Sequence, residues 1–159
     1  MASLSRLRIQ TLARILKMIV EHYALECRTK GNDQIVDLTG ETQAAVAASG
    51  VQVGQAVLLV HGSTAALTTL EYEPGLVNHD VAAALERVAP RNERYVHEET
   101  WHDDNGHSHV RASLIGPSLA LPIVEGKIPL GTWQQIVLVD SDTRPRGRTV
   151  HVSVVGVGD

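Results

Sequence analysis

The end of the chain alternates with a period of two: Val150, Val152 and Val154 are separated by His151 and Ser153. Successive side chains of a strand point to opposite faces, so this segment buries one face and wets the other. Antiparallel sheet covered on one side has that pattern. Further β-capable segments crowd in before it: Val110 to Ile115, Ser118 to Val124, Ile128 to Trp133 and Ile136 to Val139. Gly116-Pro117 and Glu125-Gly126-Lys127 supply turns between them. Phe is absent and aromatics make up only 3% of the chain, so the core must be aliphatic, which leaves Trp101 and Trp133 conspicuous.

The first half adds strands and two helices. Leu7 and Ile9 alternate with Arg6 and Arg8, and Ile15 to Val20 is rich in β-formers, which predicts a pair of early strands. Gly31-Asn32-Asp33 is a turn. A helix is expected over Glu41 to Ser49, with Thr39 as a cap and Gly50 as its stop. Ala56 to Val60 reads as a buried strand ending at His61-Gly62, and a small, β-capable stretch then runs to Glu71. A second helix is predicted from Leu76 to Ala89, its apolar stripe formed by Val77, Val81, Ala84, Leu85 and Val88. Asp80 falls on the edge of that stripe and calls for a compensating partner. The sum is an α+β fold in a single domain of residues 1–159, with antiparallel sheet dominating, β-sandwich character and two main helices packed on it.

Composition removes several functions. A formal net charge of −4 and no Lys/Arg stripe argue against a nucleic-acid partner. No apolar run is long enough for a membrane span. One cysteine, Cys27, excludes an intrachain disulfide and fits a reducing, cytoplasmic location. Arg6, Arg8, Arg14 and Lys17 precede the first acid, Glu21, which is also the composition of an organellar transit peptide.

Chemistry concentrates in residues 95–109, where His97, His102, His107 and His109 stand among Glu98, Glu99, Asp103 and Asp104. If a strand starts near His107, His107 and His109 project from one face as a chelating pair. His97, His107 and His109 are candidate ligands for a divalent metal, zinc or magnesium, with Glu71 or Asp80 as a fourth ligand or a base. Arg144, Arg146 and Arg148, with Arg111, form a second candidate group that could clamp a phosphate. A serine triad has no support, because no GxSxG elbow exists.

Taken together, Gly62-Ser-Thr-Ala-Ala-Leu-Thr-Thr-Leu-Glu71, Asp80, His97, Asn105-Gly-His107-Ser-His109, Gly116-Pro-Ser118, Pro122, Gly126, Leu130-Gly-Thr-Trp133-Gln134 and Arg148 resemble the YjbQ-like family over roughly residues 33–156. That family is credited with secondary thiamine-phosphate synthase activity, joining an aminopyrimidine diphosphate to a thiazole phosphate. The resemblance implies a homotrimer acting on a small phosphorylated metabolite, its polar cleft near a subunit boundary. It implies Glu71, Asp80 and His107 as catalytic residues and His97, His107 and His109 as metal ligands. Arg111, Trp133, Gln134 and Arg148 would bind substrate, Trp133 by stacking. A metal- or phosphometabolite-binding trimer without turnover is the alternative. One departure stands out: many members begin the first motif with His-Thr-Thr, and here Gly62 takes the place of that histidine. His61, one residue earlier, faces the other way along a strand and cannot replace it.

Overall fold

The computed structural model describes residues 17–158. The strand expected around Leu7 and Ile9 lies outside the described residues. Seven strands follow: β1 (Lys17–Thr29), β2 (Gln34–Asp37), β3 (Val53–His61), β4 (Ala65–Leu70), β5 (Ser118–Val124), β6 (Gln135–Asp140) and β7 (Arg146–Gly158). They form a large sheet in the order β1-β7-β3-β5 and a small sheet in the order β2-β6-β4, with every pairing antiparallel. Helices are α1 (Thr39–Ser49), α2 (Val81–Val88), α3 (Glu98–Trp101) and α4 (Gly106–Ile115). Among the described residues no helix is long and apolar enough to cross a membrane.

The sheets face each other across an aliphatic core. Ala56, Leu58 and Val60 of β3 and Val150, Val152 and Val154 of β7 meet Ala65, Leu67, Ile136 and Leu138 of the small sheet. Each fully buried Val, Leu or Ile among them contributes about 1.5–3 kcal/mol. The small sheet is also covered on its outer side, where Ile35, Val137 and Val139 pack against Val77, Val81, Leu85 and Ile115. The molecule thus has three layers, large sheet, small sheet and the α2–α4 side, while α1 sends Ala45 and Val46 into the core between the sheets. The outer face of the large sheet has no such cover, and Met18 and Val20 there are 74% and 66% exposed.

Several local expectations are corrected. Residues 106–115 form a helix, not a strand. Its inward positions are His107, Ser108, Arg111 and Ala112, a helical spacing carried mainly by polar side chains, so no apolar stripe announces it. Ile128 to Trp133 is not a strand either. The Gln43 side chain donates to the carbonyl of Ile128 at 2.9 Å and accepts its N–H at 3.1 Å, doing what a neighbouring strand would do. The second helix begins as a π-helical turn, Leu76–Asp80, before α2, and Val88 ends up 66% exposed. Thr39 belongs to α1 itself, where its N–H donates to Asp37 Oδ1 at 2.8 Å and its hydroxyl accepts from the N–H of Ile136 at 2.9 Å.

Candidate functional site

The histidine segment is built around the start of α4. Two residues with left-handed backbone, His102 (φ 54°) and Asp104 (φ 55°), bend the chain out of the short α3 and into Asn105. Gly106 must be small, since a Cβ there would lie 2.3 Å from Cβ of Tyr95. The turn thereby seats α4 against Tyr95.

On a helix, residues two apart diverge by about 200°, so the helical segment separates His107 from His109. His107 is buried and faces Tyr95, their ring centroids 6.1 Å apart. Burial holds its pKa below the ordinary histidine value, and the Arg111 and Arg91 charges push the same way. His109 turns to the other side and packs on His97, ring centroids 4.5 Å apart. Its pKa is lowered by burial first and by His97 second, against smaller opposing effects of Asp103, the Ser63 backbone and Asp142. Both rings favour the neutral form, the form that ligates a metal or takes up a proton.

The His97 side carries unused polar capacity. Nε2 of His97 stands 3.5 Å from Oδ1 of Asp103, too long for a good hydrogen bond, and both buried atoms lack a partner. Asn105 Oδ1 and Ser141 Oγ are likewise buried and unpartnered, as are His107 Nδ1 and Asp33 Oδ1 on the Tyr95–Arg111 side. Such atoms are costly to leave unsatisfied, and four of the six among the described residues belong to the His97 loop, the start of α4 and the loop after β6. Among the described residues no three ligating side chains already enclose a common point. Of the three histidines nominated as ligands, His97 and His109 come together and His107 does not. Asp103 is the residue that the sequence reading left out of the ligand set; its place in the acidic run after His102 was the available signal.

The arginines are engaged elsewhere. Arg111 is wholly buried on α4: Nε and Nη2 donate to the carbonyl of Ala89 at 3.0 and 2.7 Å, Nη1 pairs with Asp33 and Nη2 also with Glu86. Arg148, on β7, forks onto both carboxylate oxygens of Asp140 at 2.7 Å and donates to Thr64 Oγ1 at 2.8 Å. Thr64 in turn donates to Asp142, which also accepts from Arg146 Nε at 2.9 Å. That arginine holds Asp142 below the usual carboxylate range, together with Thr64 and the Arg144 N–H, outweighing burial. Arg144 is exposed, 3.8 Å from Asp104. Behind this network sits Gly62 (φ +137°), where a Cβ would approach Nη1 of Arg148 to 2.6 Å. His61 points out of the other side of the large sheet and lies tilted against His151, so it does not enter the His109 site.

The remaining nominated residues lie at the opposite end of the small sheet. β4 pairs Ala65 with Asp140 and Leu70 with Gln135, so Glu71, Trp133 and Gln134 follow the far end of that ladder. Six residues of strand separate the ends by about 20 Å. Trp133 is 69% exposed, and Gln134 donates to Thr69 Oγ1 at 2.9 Å while accepting the Gly131 N–H at 3.2 Å. Asp80 is also exposed and contacts His79 Nδ1 at 2.9 Å, so it needs no compensation from the core.

These features define an α+β sandwich domain with a histidine–carboxylate cluster at one end of its small sheet. A family profile, UPF0047 protein YjbQ-like, matches residues 23–157, and the chain belongs to that family. A UPF0047 protein of Methanocaldococcus jannaschii is 32% identical over 142 residues, covering 89% of this chain and 97% of its own. YugU of Bacillus subtilis is 29% identical over 133 residues, covering 83% and 97%. Among solved structures, a hypothetical protein of Aeropyrum pernix superposes with a TM-score of 0.78 at 31% identity, covering 86% of this chain and 98% of that one. A YbjQ-like protein of unknown function from Sulfolobus solfataricus gives 0.77 at 29% identity, covering 86% and 99%.

Proposed function

We propose that this chain acts on a small phosphorylated metabolite, with formation of thiamine phosphate as the reaction, at a site shared between copies in a homotrimer. The observation that carries the reading is the pair of buried, unpartnered atoms, His97 Nε2 and Asp103 Oδ1, beside the neutral ring of His109. Two imidazoles and a carboxylate suit a divalent cation. In the proposed reaction the bond from the pyrimidine methylene to the diphosphate oxygen breaks and a bond to the thiazole nitrogen forms. The leaving diphosphate needs positive charge. Arg111 and Arg148 are already neutralised by Asp33, Glu86 and Asp140, so they have little to give. A divalent ion held by His97, His109 and Asp103 would supply that charge as a Lewis acid.

The separation of the two groups of residues supports the reading of a site shared between copies. Glu71, Trp133 and Gln134 cannot reach His109 of their own chain along the length of β4, but a neighbouring copy could present its own set. The exposed apolar end of the large sheet, with Met18, Val20, Val53 and Val124, offers a surface for self-association. A binding protein without turnover is the second reading, favoured by the neutralised arginines.

The test is thiamine phosphate formation from the two precursors by wild type, His109→Ala and Glu71→Ala. Wild type is expected to turn over, each variant to lose activity, and an equimolar mixture allowed to exchange subunits to recover part of it. No product from wild type would defeat the enzyme reading. A monomeric mass in solution, or no recovery in exchanged mixtures, would defeat the shared site.

A further inference from the structure

Three histidines meet on the outer face of the large sheet, toward the opposite end of that sheet from the apolar residues offered for self-association, and none has a role in the proposed reaction. His22 lies on β1, His151 on β7 and His61 on β3. The register pairs His22 with Ser153 and His61 with Thr149, while His151 sits opposite Ala24 on one side and Leu59 on the other. His151 is therefore the diagonal neighbour of both other histidines. All three project away from the core, because the intervening Val150 and Val152 are fully buried on the inner face. Ring centroids are 5.3 Å apart for His22 and His151, and 6.1 Å apart for His61 and His151. Their nearest outward neighbours include Ala24, Val57 and Leu59, and nothing in the packing of that face asks for imidazoles.

The nitrogen positions do suggest a reason. Nε2 of His22 lies 3.2 Å from Nδ1 of His151. Two imidazole nitrogens, each about 2.0–2.1 Å from one tetrahedral ion, stand about 3.3 Å apart, so the pair already has the spacing of a chelate. Nδ1 of His22 faces Ser153 Oγ at 3.3 Å. When that hydroxyl accepts the ring proton, the tautomer is fixed and Nε2 is left with a lone pair that accepts the Nδ1 proton of His151, a proton that a metal ion would replace. Histidines that ligate metals commonly have such an outer partner. His61 is exposed, so its ring is free to turn about its side-chain bonds and close the set.

The geometry points to a surface site for a borderline divalent cation such as zinc, copper or nickel, with His22, His151 and His61 as ligands and water in the fourth place. It is independent of the His97–His109 cluster. Both sites start from opposite sides of the β3–β4 turn, with His61 facing outward and the Ser63 backbone facing His109.

Untagged protein, stripped with a chelator, is titrated with zinc and with copper(II) by calorimetry, and the copper form is examined by electron paramagnetic resonance. Wild type is expected to take one ion per chain at this face, with nitrogen hyperfine splitting from imidazole. His22→Ala and His151→Ala should each weaken binding by more than about 100-fold, and Ser153→Ala, which keeps every ligand, by about 10-fold. A double His97→Ala, His109→Ala variant should keep this ion. The proposal falls if wild type binds neither metal, if His22→Ala and His151→Ala bind as wild type does, or if the double variant abolishes the only ion bound.

Discussion

The two sides of α4 carry opposite kinds of polar chemistry. On one side the guanidinium of Arg111 is wholly buried and every nitrogen has a partner: the Ala89 carbonyl, Asp33 and Glu86. On the other, His97 and Asp103 keep buried atoms that bond nothing. A satisfied buried charge is a fastening between the β1–β2 turn, α2 and α4. An unsatisfied one is capacity held for something else. A strand would have put Arg111 and His109, two residues apart, on one face; the helix sends them apart and gives each a different task.

The largest effect expected from this contrast is on stability. Arg111→Met should cost about 3 kcal/mol, because it removes the buried partner of the Asp33 carboxylate and leaves it only the half-exposed Arg91, at 3.2 Å. Urea unfolding measures it, and a loss below about 1 kcal/mol would erase the distinction between the two sides. Next comes pH. The folded chain resists protonating His107, whereas the unfolded chain takes that proton near the ordinary histidine value of about 6.5. Stability is then complete above that value and is lost as pH falls through it toward the lowered folded pKa. His107→Gln should flatten this acid limb of the stability curve; an unchanged slope would show that His107 does not set it. The smallest effect belongs to Asp103→Asn, expected to move stability by no more than about 0.5 kcal/mol since no hydrogen bond is lost. The same change should abolish any metal bound at His97 and His109, read by elemental analysis.

Much of the sandwich was legible because its strands obey the period of two that burial on one face imposes. Val150, Val152 and Val154 announced β7, and Ala56 to Val60 announced β3. The failures share one cause: the chain satisfied its backbone by means that carry no hydrophobic pattern. α4 turns His107, Ser108 and Arg111 inward, so its buried stripe is polar and reads as loop or strand. Residue 128 is held by a single glutamine amide rather than a ladder. Of the candidate site, composition made legible that histidines crowd residues 95–109, and His97 and His109 do lie against each other. The mistake over His107 came from assigning the wrong period, and no sequence pattern revealed that Glu71, Trp133 and Gln134 would follow the far end of β4.

Gly62 shows how two distant positions of a sequence become a single choice in the fold. Its missing side chain leaves the space into which Nη1 of Arg148 extends, so the two residues are far apart in the chain and in contact in the structure. Any side chain placed at 62 would set a Cβ against that guanidinium at a backbone angle few side chains adopt. The guanidinium is held by its fork on Asp140, so such a change would fall on the ion pair as much as on the turn.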